Sequence, residues 1–448
     1  MKKSSYVFLL LLIAGSLFAQ KELTLEEAIS IALQRNSNLI VSKNNLESTK
    51  AGVKNAYGDL LPNVGTYASW DWNRIDDNGS TQVDYLGNET AVPSSTTFSR
   101  SYSVGVNGGV TLFNGMANWA NISQSKQDVK AAEYQLEKLK QDIVYQTTEY
   151  FYAVVNAKEL MKVQEENVKY NQKQLETISE RNKLGSIPVA DLYAQQVQSG
   201  NAELQLIEAE NSYETALSEL LNYLALDVLE DYTLKSDVDP DVEINTSEYM
   251  EGLGDIMEMV GQAMKSRFDY KGQEYTVKSA QSGLTMARGG FFPSLSGDYG
   301  YYSSATVPSD LFDRKVLSFG LTLSFPLFSN FDTETQTQAA KVTKLNAEED
   351  LSALERQIKI EVKQGYLDLM AAQKNLEVTY KNVESAGENR KVNTERYNLG
   401  AGNIVELLQA DRDYVEAMSD NINALYNFFV KRDQLLNALG ELDYKVYE

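Results

Sequence analysis

From Ser318 to Phe328 the chain reads SFGLTLSFPLF, in which Phe319, Leu321, Leu323, Phe325 and Leu327 alternate with Ser318, Gly320, Thr322, Ser324 and Pro326. That is the period of a strand with one apolar face. Three further segments share it. In SYSVGVNGGVTLF, Tyr102, Val104, Val106, Val110 and Leu112 alternate with Ser103, Gly105, Asn107, Gly109 and Thr111. NVGTYASWDW sets Val64, Ala68, Trp70 and Trp72 against Gly65, Ser69 and Asp71, and SLSGDYGYYSS sets Leu295, Tyr299 and Tyr301 against Ser296, Asp298 and Gly300. The pattern predicts strands over about 62–73, 100–113, 292–303 and 316–328.

Elsewhere the period changes to that of a helix. Leu351, Leu354, Ile358, Val362, Tyr366 and Leu369 step by three or four, as do Leu136, Leu139, Ile143, Thr147, Phe151 and Val154. This is a coiled-coil-like seam, and taken alone it fits the core of any helical bundle. Between Met116 and Leu184 there is neither Gly nor Pro, which permits one unbroken helix of about 100 Å at 1.5 Å per residue. The equivalent stretch, 331–399, holds only Gly365 and Gly387 as weak points. Shorter helices are predicted over 188–227 and 403–440.

These elements occur twice. AYGDLLPNVG (Ala56–Gly65) matches ARGGFFPSLSG (Ala287–Gly297) at an offset of 231 residues. VGVNGGVTLFNG matches FGLTLSFPLFSN, ERNKLG matches ERYNLG, and LLN at Leu220 matches LLN at Leu435, all at an offset of 215. The difference falls in the polar segment from Arg74 to Phe98. The expected organisation is therefore a first repeat over 20–227, an acidic irregular segment over 228–252, and a second repeat over 253–448. Ahead of them, MKKSSYVFLLLLIAGSLFAQ has the charged start, apolar run and small-residue end of a secretory signal peptide over 1–19.

Composition narrows the chemistry. The net charge of −22 disfavours a nucleic acid partner, because phosphate binding needs clustered Lys and Arg. With no Cys and no His, disulfides, thiolate nucleophiles, the common zinc ligands and the usual general base are all missing. GAGN at Gly400 is too short for a nucleotide loop, so neither a catalytic constellation nor a metal or cofactor site is expected.

The strands could bury their apolar face in a soluble sandwich. Two features favour lipid instead: the opposite face carries Ser, Gly and Asn rather than Lys and Glu, and Trp, Tyr and Phe gather at strand ends. A membrane sheet must close, because unpaired backbone groups in hydrocarbon cost several kcal/mol each. Four strands are too few. Two chains would supply eight and three would supply twelve, and a conducting pore favours three.

LTLEEAISIALQRN, AMKSRFD, the LPN and FPS strand entries and YNLGAGNIVELLQADRDYVEA together resemble the TolC-like outer membrane efflux proteins. The resemblance implies a mainly helical trimer whose twelve-stranded outer membrane barrel, four strands per chain, continues into a long helical periplasmic tunnel. It implies a passive exit duct for small molecules, joined through a periplasmic adaptor to an inner membrane transporter of the RND, ABC or MFS type. The alternatives are the exit duct of a type I secretion system and, from another class, a trimeric surface adhesin. Segment 228–252 resembles the family's equatorial belt. The turns Leu184, Gly185, Ser186 and Leu399, Gly400, Ala401 resemble the places where adaptor hairpins dock, although Gly after a helix end is also ordinary capping chemistry. Asp191 and Glu406 fall where the family places acids at the constricted mouth; an acid there also suits a helix N-terminus, and Asn403 with Glu406 suits a capping box. Tyr397 matches a latch residue opposite Asp191. Two positions depart from the family: a second ring acid is replaced by Gln409, and a latch arginine by Gly402. The implied mouth is held by Asp191 and Tyr397 alone and should open easily.

Overall fold

A computed structural model describes residues 21–236, 238 and 252–447. The expected signal peptide and most of segment 228–252 lie outside the described residues. In chain order the elements are β1 (Lys21–Leu23), α1 (Leu25–Arg35), α2 (Ser37–Gly58), β2 (Asn63–Asp77), β3 (Ser80–Val83), β4 (Glu89–Val92), β5 (Ser95–Asn114), α3 (Ala117–Lys183) and α4 (Val189–Tyr223). There follow β6 (Tyr232–Leu234), α5 (Ile256–Ser266), α6 (Phe268–Arg288), β7 (Ser294–Ala305), β8 (Lys315–Ser324), α7 (Asp332–Asn398) and α8 (Ile404–Leu439). Each half thus runs through helices, two long strands, a helix of 67 residues and a shorter helix. No described helix is long and apolar enough to cross a membrane.

The chain forms two compact units. One contains residues up to Asn44, Tyr134–Lys271 and Ser352–Glu448; the other contains Asn45–Glu133 and Gly272–Leu351.

The first unit is helical. At its start, Thr24 and Glu27 form a reciprocal capping box, and Ala28, Ile29, Ala32 and Leu33 form the buried stripe of α1. The expected seam is buried where it enters this unit: Leu136, Ile143, Thr147, Phe151 and Val154 on α3, with Ile358, Val362 and Leu369 on α7. Tyr152 packs its ring 5.5 Å from Phe429 and 6.0 Å from Tyr426. Arg267, 4 % exposed, is anchored by Asp269 at 2.6 Å and Glu361 at 2.5 Å and donates to the Ala438 carbonyl. β1 pairs in parallel with β6, so the chain just after the expected leader is tied to the segment that follows α4.

The second unit carries an antiparallel sheet in the order β2-β5-β7-β8, with β3 and β4 forming a separate hairpin. Its register brings the four apolar faces to one side. Val64, Gly108, Tyr299 and Phe319 form one cross-strand row, and Thr66, Val106, Tyr301 and Leu317 form the next. The row between them reads Gly65, Asn107, Gly300, Ser318, and the row just before them reads Asn63, Gly109, Asp298, Gly320. A slip of one residue anywhere would have mixed the two faces. Gly108 is required in its row: a Cβ there would lie 2.0 Å from the Asn63 carbonyl oxygen and 2.4 Å from the Tyr299 hydroxyl, which donates to that carbonyl at 2.7 Å.

Strand ends depart from expectation. β2 and β5 run on to Asp77 and back to Ser95, because the flanking polar residues keep pairing from Asn73 with Ser99 to Asp77 with Ser95. β8 stops at Ser324 rather than 328, since Pro326 has no N–H to give a ladder.

Candidate functional site

The residues expected at a mouth all lie in the helical unit, around two turns. At the end of α3, Gly185 adopts φ 72, its N–H donates to the Asn182 carbonyl at 2.8 Å, and Ser186 N–H donates to Arg181 at 2.9 Å. At the end of α7, Gly400 adopts φ 72, with Gly400 donating to Tyr397 at 3.1 Å and Ala401 to Arg396 at 2.8 Å. Both are Schellman closures, in which a left-handed residue satisfies the last helical carbonyls. A Cβ at either glycine would meet nothing within 4 Å, so backbone conformation is the reason for glycine there. Each turn pushes a leucine into solvent: Leu184 and Leu399 are both 84 % exposed. Ser186 and Ala401 are exposed beside them.

Beyond each turn a helix begins with an acid. Asp191 sits in the first turn of α4, after Pro188 in the N-cap position. Glu406 sits in the first turn of α8, whose N-cap Asn403 accepts from the Glu406 N–H at 2.9 Å. The reciprocal half of the expected capping box is replaced. The Glu406 carboxylate instead takes the Asn403 side-chain amide at 3.1 Å and the Arg396 guanidinium at 3.2 Å.

Asp191 and Tyr397 are brought together: the Tyr397 hydroxyl donates to the Asp191 carboxylate at 3.0 Å, joining α7 to α4. Tyr397 is 7 % exposed, in a cluster with Ile178, Ile404 and Leu407, against which Ile187 and Leu192 pack. Burial, and then the bond to Asp191, push the Tyr397 hydroxyl well above the ordinary phenol range, so it stays a donor throughout the neutral range. Glu406 does not join this pair.

Asp191 and Tyr397 are not the only polar contact between these helices. Further along the helices, a buried polar layer draws on all four. Gln195 on α4 donates to the side-chain oxygen of Asn171 on α3 at 2.9 Å, and Asn171 donates to Asp411 on α8 at 3.0 Å. Asp411 also lies 2.8 Å from Arg390 on α7, whose guanidinium carbon sits 3.6 Å from the Tyr170 ring centroid and 4.8 Å from that of Tyr414. Burial raises the Asp411 carboxyl above its ordinary range despite Arg390 and Asn171, which pull the other way. Sequence reasoning passed over this layer. The available signal was a polar residue four places after Leu407, on the buried stripe of α8. Gln409 bonds Asp413 at 2.6 Å, and Gly402 packs beneath Arg396.

A geometry of paired helical hairpins, capped turns and an amphipathic open sheet has recognisable relatives. The family model described as outer membrane efflux protein matches residues 28–226 and 259–441. The outer membrane protein TolC of Vibrio cholerae is 22% identical over 432 residues, covering 93% of this chain and 91% of that protein. Among solved structures, the Campylobacter jejuni CmeC outer membrane channel superposes with a TM-score of 0.78 at 18% identity, covering 94% of this chain and 88% of that one. The open state of the Neisseria gonorrhoeae MtrE outer membrane channel does so at 0.75 and 19%, covering 94% and 90%. With both repeats matched by the family model, the chain belongs to the outer membrane efflux protein family.

Proposed function

We propose that the protein is an outer membrane channel through which small toxic molecules leave the cell, and that three copies close one twelve-stranded barrel. The observation that carries this is the register of the sheet. It aligns four apolar faces on one side and Gly, Ser, Asn and Asp on the other, while leaving β2 and β8 as edges. In lipid such edges must pair, and pairing β8 of one copy with β2 of the next supplies the closure. Twelve strands leave a wet interior, whereas eight would be filled by side chains.

The helical unit is the periplasmic part of the duct, and its two turns form the mouth. Asp191 bonded to Tyr397 holds α4 against α7 and, three copies around the axis, contributes negative charge that favours cations at the mouth, whereas the charge of Glu406 is offset by Arg396. The exposed leucines of the turns, Leu184 and Leu399, offer apolar tips to the helical hairpin of an adaptor protein, which links the duct to an inner membrane transporter. The duct is passive, and the driving force and cargo selection belong to that transporter.

The test is conductance of the purified protein in a planar bilayer, with its mass in detergent measured by light scattering. Discrete cation-preferring steps from a species of three chains are expected. A water-soluble monomer without conductance would place the apolar face of the sheet in a protein core and end the proposal.

A further inference from the structure

The strands β2, β5, β7 and β8, with the loops that cap them, join the helices at one end and turn through loops 78–94 and 306–314 at the other. All their cations gather at the loop end. Between Asn63 and Ser324, the strands and the 306–314 loop contain only Arg74, Arg100, Arg314 and Lys315 as Lys or Arg. Three of these fall on the apolar face: Lys315 in the row of Ala68, Val104 and Ser303, Arg100 opposite Trp72, and Arg74 opposite Phe98. Acids lie at the same end, among them Asp76 and Asp77 on β2 and Asp310 and Asp313 in the 306–314 loop, so the positive charge is local to these residues of the strands. Arg74 is engaged with Asp76 at 3.0 Å, whereas Arg100 and Lys315 form no hydrogen bond or ion pair among the described residues.

Beside Lys315 the same face is hollow. Ser303, 5 % exposed, has its hydroxyl within reach of the Leu311 carbonyl and of the Arg314 carbonyl at 2.6 Å, its one hydrogen serving either, and so holds the 306–314 loop back against the sheet. Phe312 from the loop, with Thr66, Ala68, Val106 and Tyr301 from the strands, walls an apolar cavity of about 410 Å3 with Lys315 at its edge. The cavity lies over the central strands β5 and β7 and adjoining β2, and Lys315, the first residue of the β8 edge through which copies would pair, lines it from that side.

We propose that this niche binds a phosphorylated lipid of the outer leaflet, with an acyl chain beneath Phe312 and a phosphate at Lys315. The inference rests on the membrane reading of the sheet and adds its ligand. Charge complementarity selects the occupant. An apolar slot would accept any chain, but a free ammonium at the end of the sheet remote from the helices favours an anionic headgroup, to whose phosphate it can give a charge-assisted hydrogen bond. Arg100 extends the cationic rim two cross-strand rows further along, about 14 Å, within the span of a large headgroup.

The experiment is native mass spectrometry of the detergent-purified protein with diphosphorylated lipid A, with phosphatidylcholine, and with lipid A in excess inorganic phosphate. Conductance is recorded for every variant. Wild-type protein should retain lipid A and release phosphatidylcholine; Lys315→Gln should lower retention about tenfold, as loss of one charge-assisted contact implies. Ala68→Trp, which fills the niche and leaves the charges, should do the same, and Lys315→Arg should restore retention. Each variant should conduct as wild type, so loss of lipid is separated from loss of the duct. Lipid retention indifferent to Lys315→Gln and Ala68→Trp would overturn the proposal. So would displacement of lipid A by inorganic phosphate, which would make the site one for free phosphate. Equal retention of phosphatidylcholine would also overturn it.

Discussion

The bond between Tyr397 and Asp191 is the contact whose removal tests the mouth most directly. Tyr397→Phe deletes one hydroxyl and leaves the ring in its cluster with Ile178, Ile404 and Leu407. A hydrogen bond to a charged acceptor contributes roughly 1.5–3 kcal/mol, and Asp191, being half-buried, recovers part of this from water once released. A net loss of about 1.4 kcal/mol per subunit is therefore the working figure, which is a factor of about ten in a conformational equilibrium. If three subunits open together, the losses combine and the open-to-closed ratio rises about a thousandfold; if they open singly, each step rises about tenfold. Single-channel recording distinguishes the two cases by open probability. Asp191→Asn and the double variant complete a cycle, in which coupling between the two residues should account for most of each single effect. Conductance of Tyr397→Phe identical to wild type would refute the reasoning, because it would mean that the mouth does not open by parting α4 from α7 at this bond.

Three further outcomes follow from the structure. Ala225 ends α4 with φ 53, where its repeat partner Gly440 ends α8 with φ 72; Ala225→Gly should stabilise the protein by about 0.5–1 kcal/mol in thermal unfolding, and Gly440→Ala should destabilise it by more, since its Cβ would lie 3.0 Å from the Arg267 backbone. Asp411 has its folded carboxyl raised by burial above the roughly 3.9 of an unfolded Asp, so the native state binds the extra proton and stability from this group falls as pH rises through that window; Asp411→Asn should flatten this part of the stability profile in detergent. Leu321→Lys on the apolar face should cost about 2–4 kcal/mol of insertion free energy at mid-membrane and abolish recovery in the membrane fraction, whereas Gly320→Ser on the opposite face should be recovered as wild type.

The fold was legible where a period survives the tertiary structure. Strand faces could be read because side chains alternate strictly, and only registers of one parity put Val64, Tyr299 and Phe319 on the same side. The long helices could be read from the absence of breakers. Strand ends were less legible at Asp77 and Ser95, where polar residues pair beyond the apolar band and give no periodic signal. Asp411 was illegible for another reason: a lone charge on a helix reads as solvated, and only Asn171 from α3 and Arg390 from α7 make its burial tolerable.

The mouth adds a point about repeats. Equivalent spacing put Asp191 and Glu406 in the same role, yet their partners differ, and the difference traces to the last turn of the preceding long helix. ERYNLG supplies Arg396 and Tyr397, whereas ERNKLG supplies Arg181 and Asn182. Arg396 reaches Glu406 across its own turn at 3.2 Å. Arg181, its counterpart, makes no ion pair with Asp191, whose carboxylate is instead met by Tyr397 from the other repeat. Asn182 turns inward instead and closes its own turn by donating to the Ile187 carbonyl at 3.0 Å. One difference between the repeats, Asn182 against Tyr397, thus converts two locally sealed hairpins into a pair with a bond between them. On the proposed reading, the duplication supplies symmetric turns for docking, and the departure from symmetry supplies the bond between α4 and α7 that opening would break.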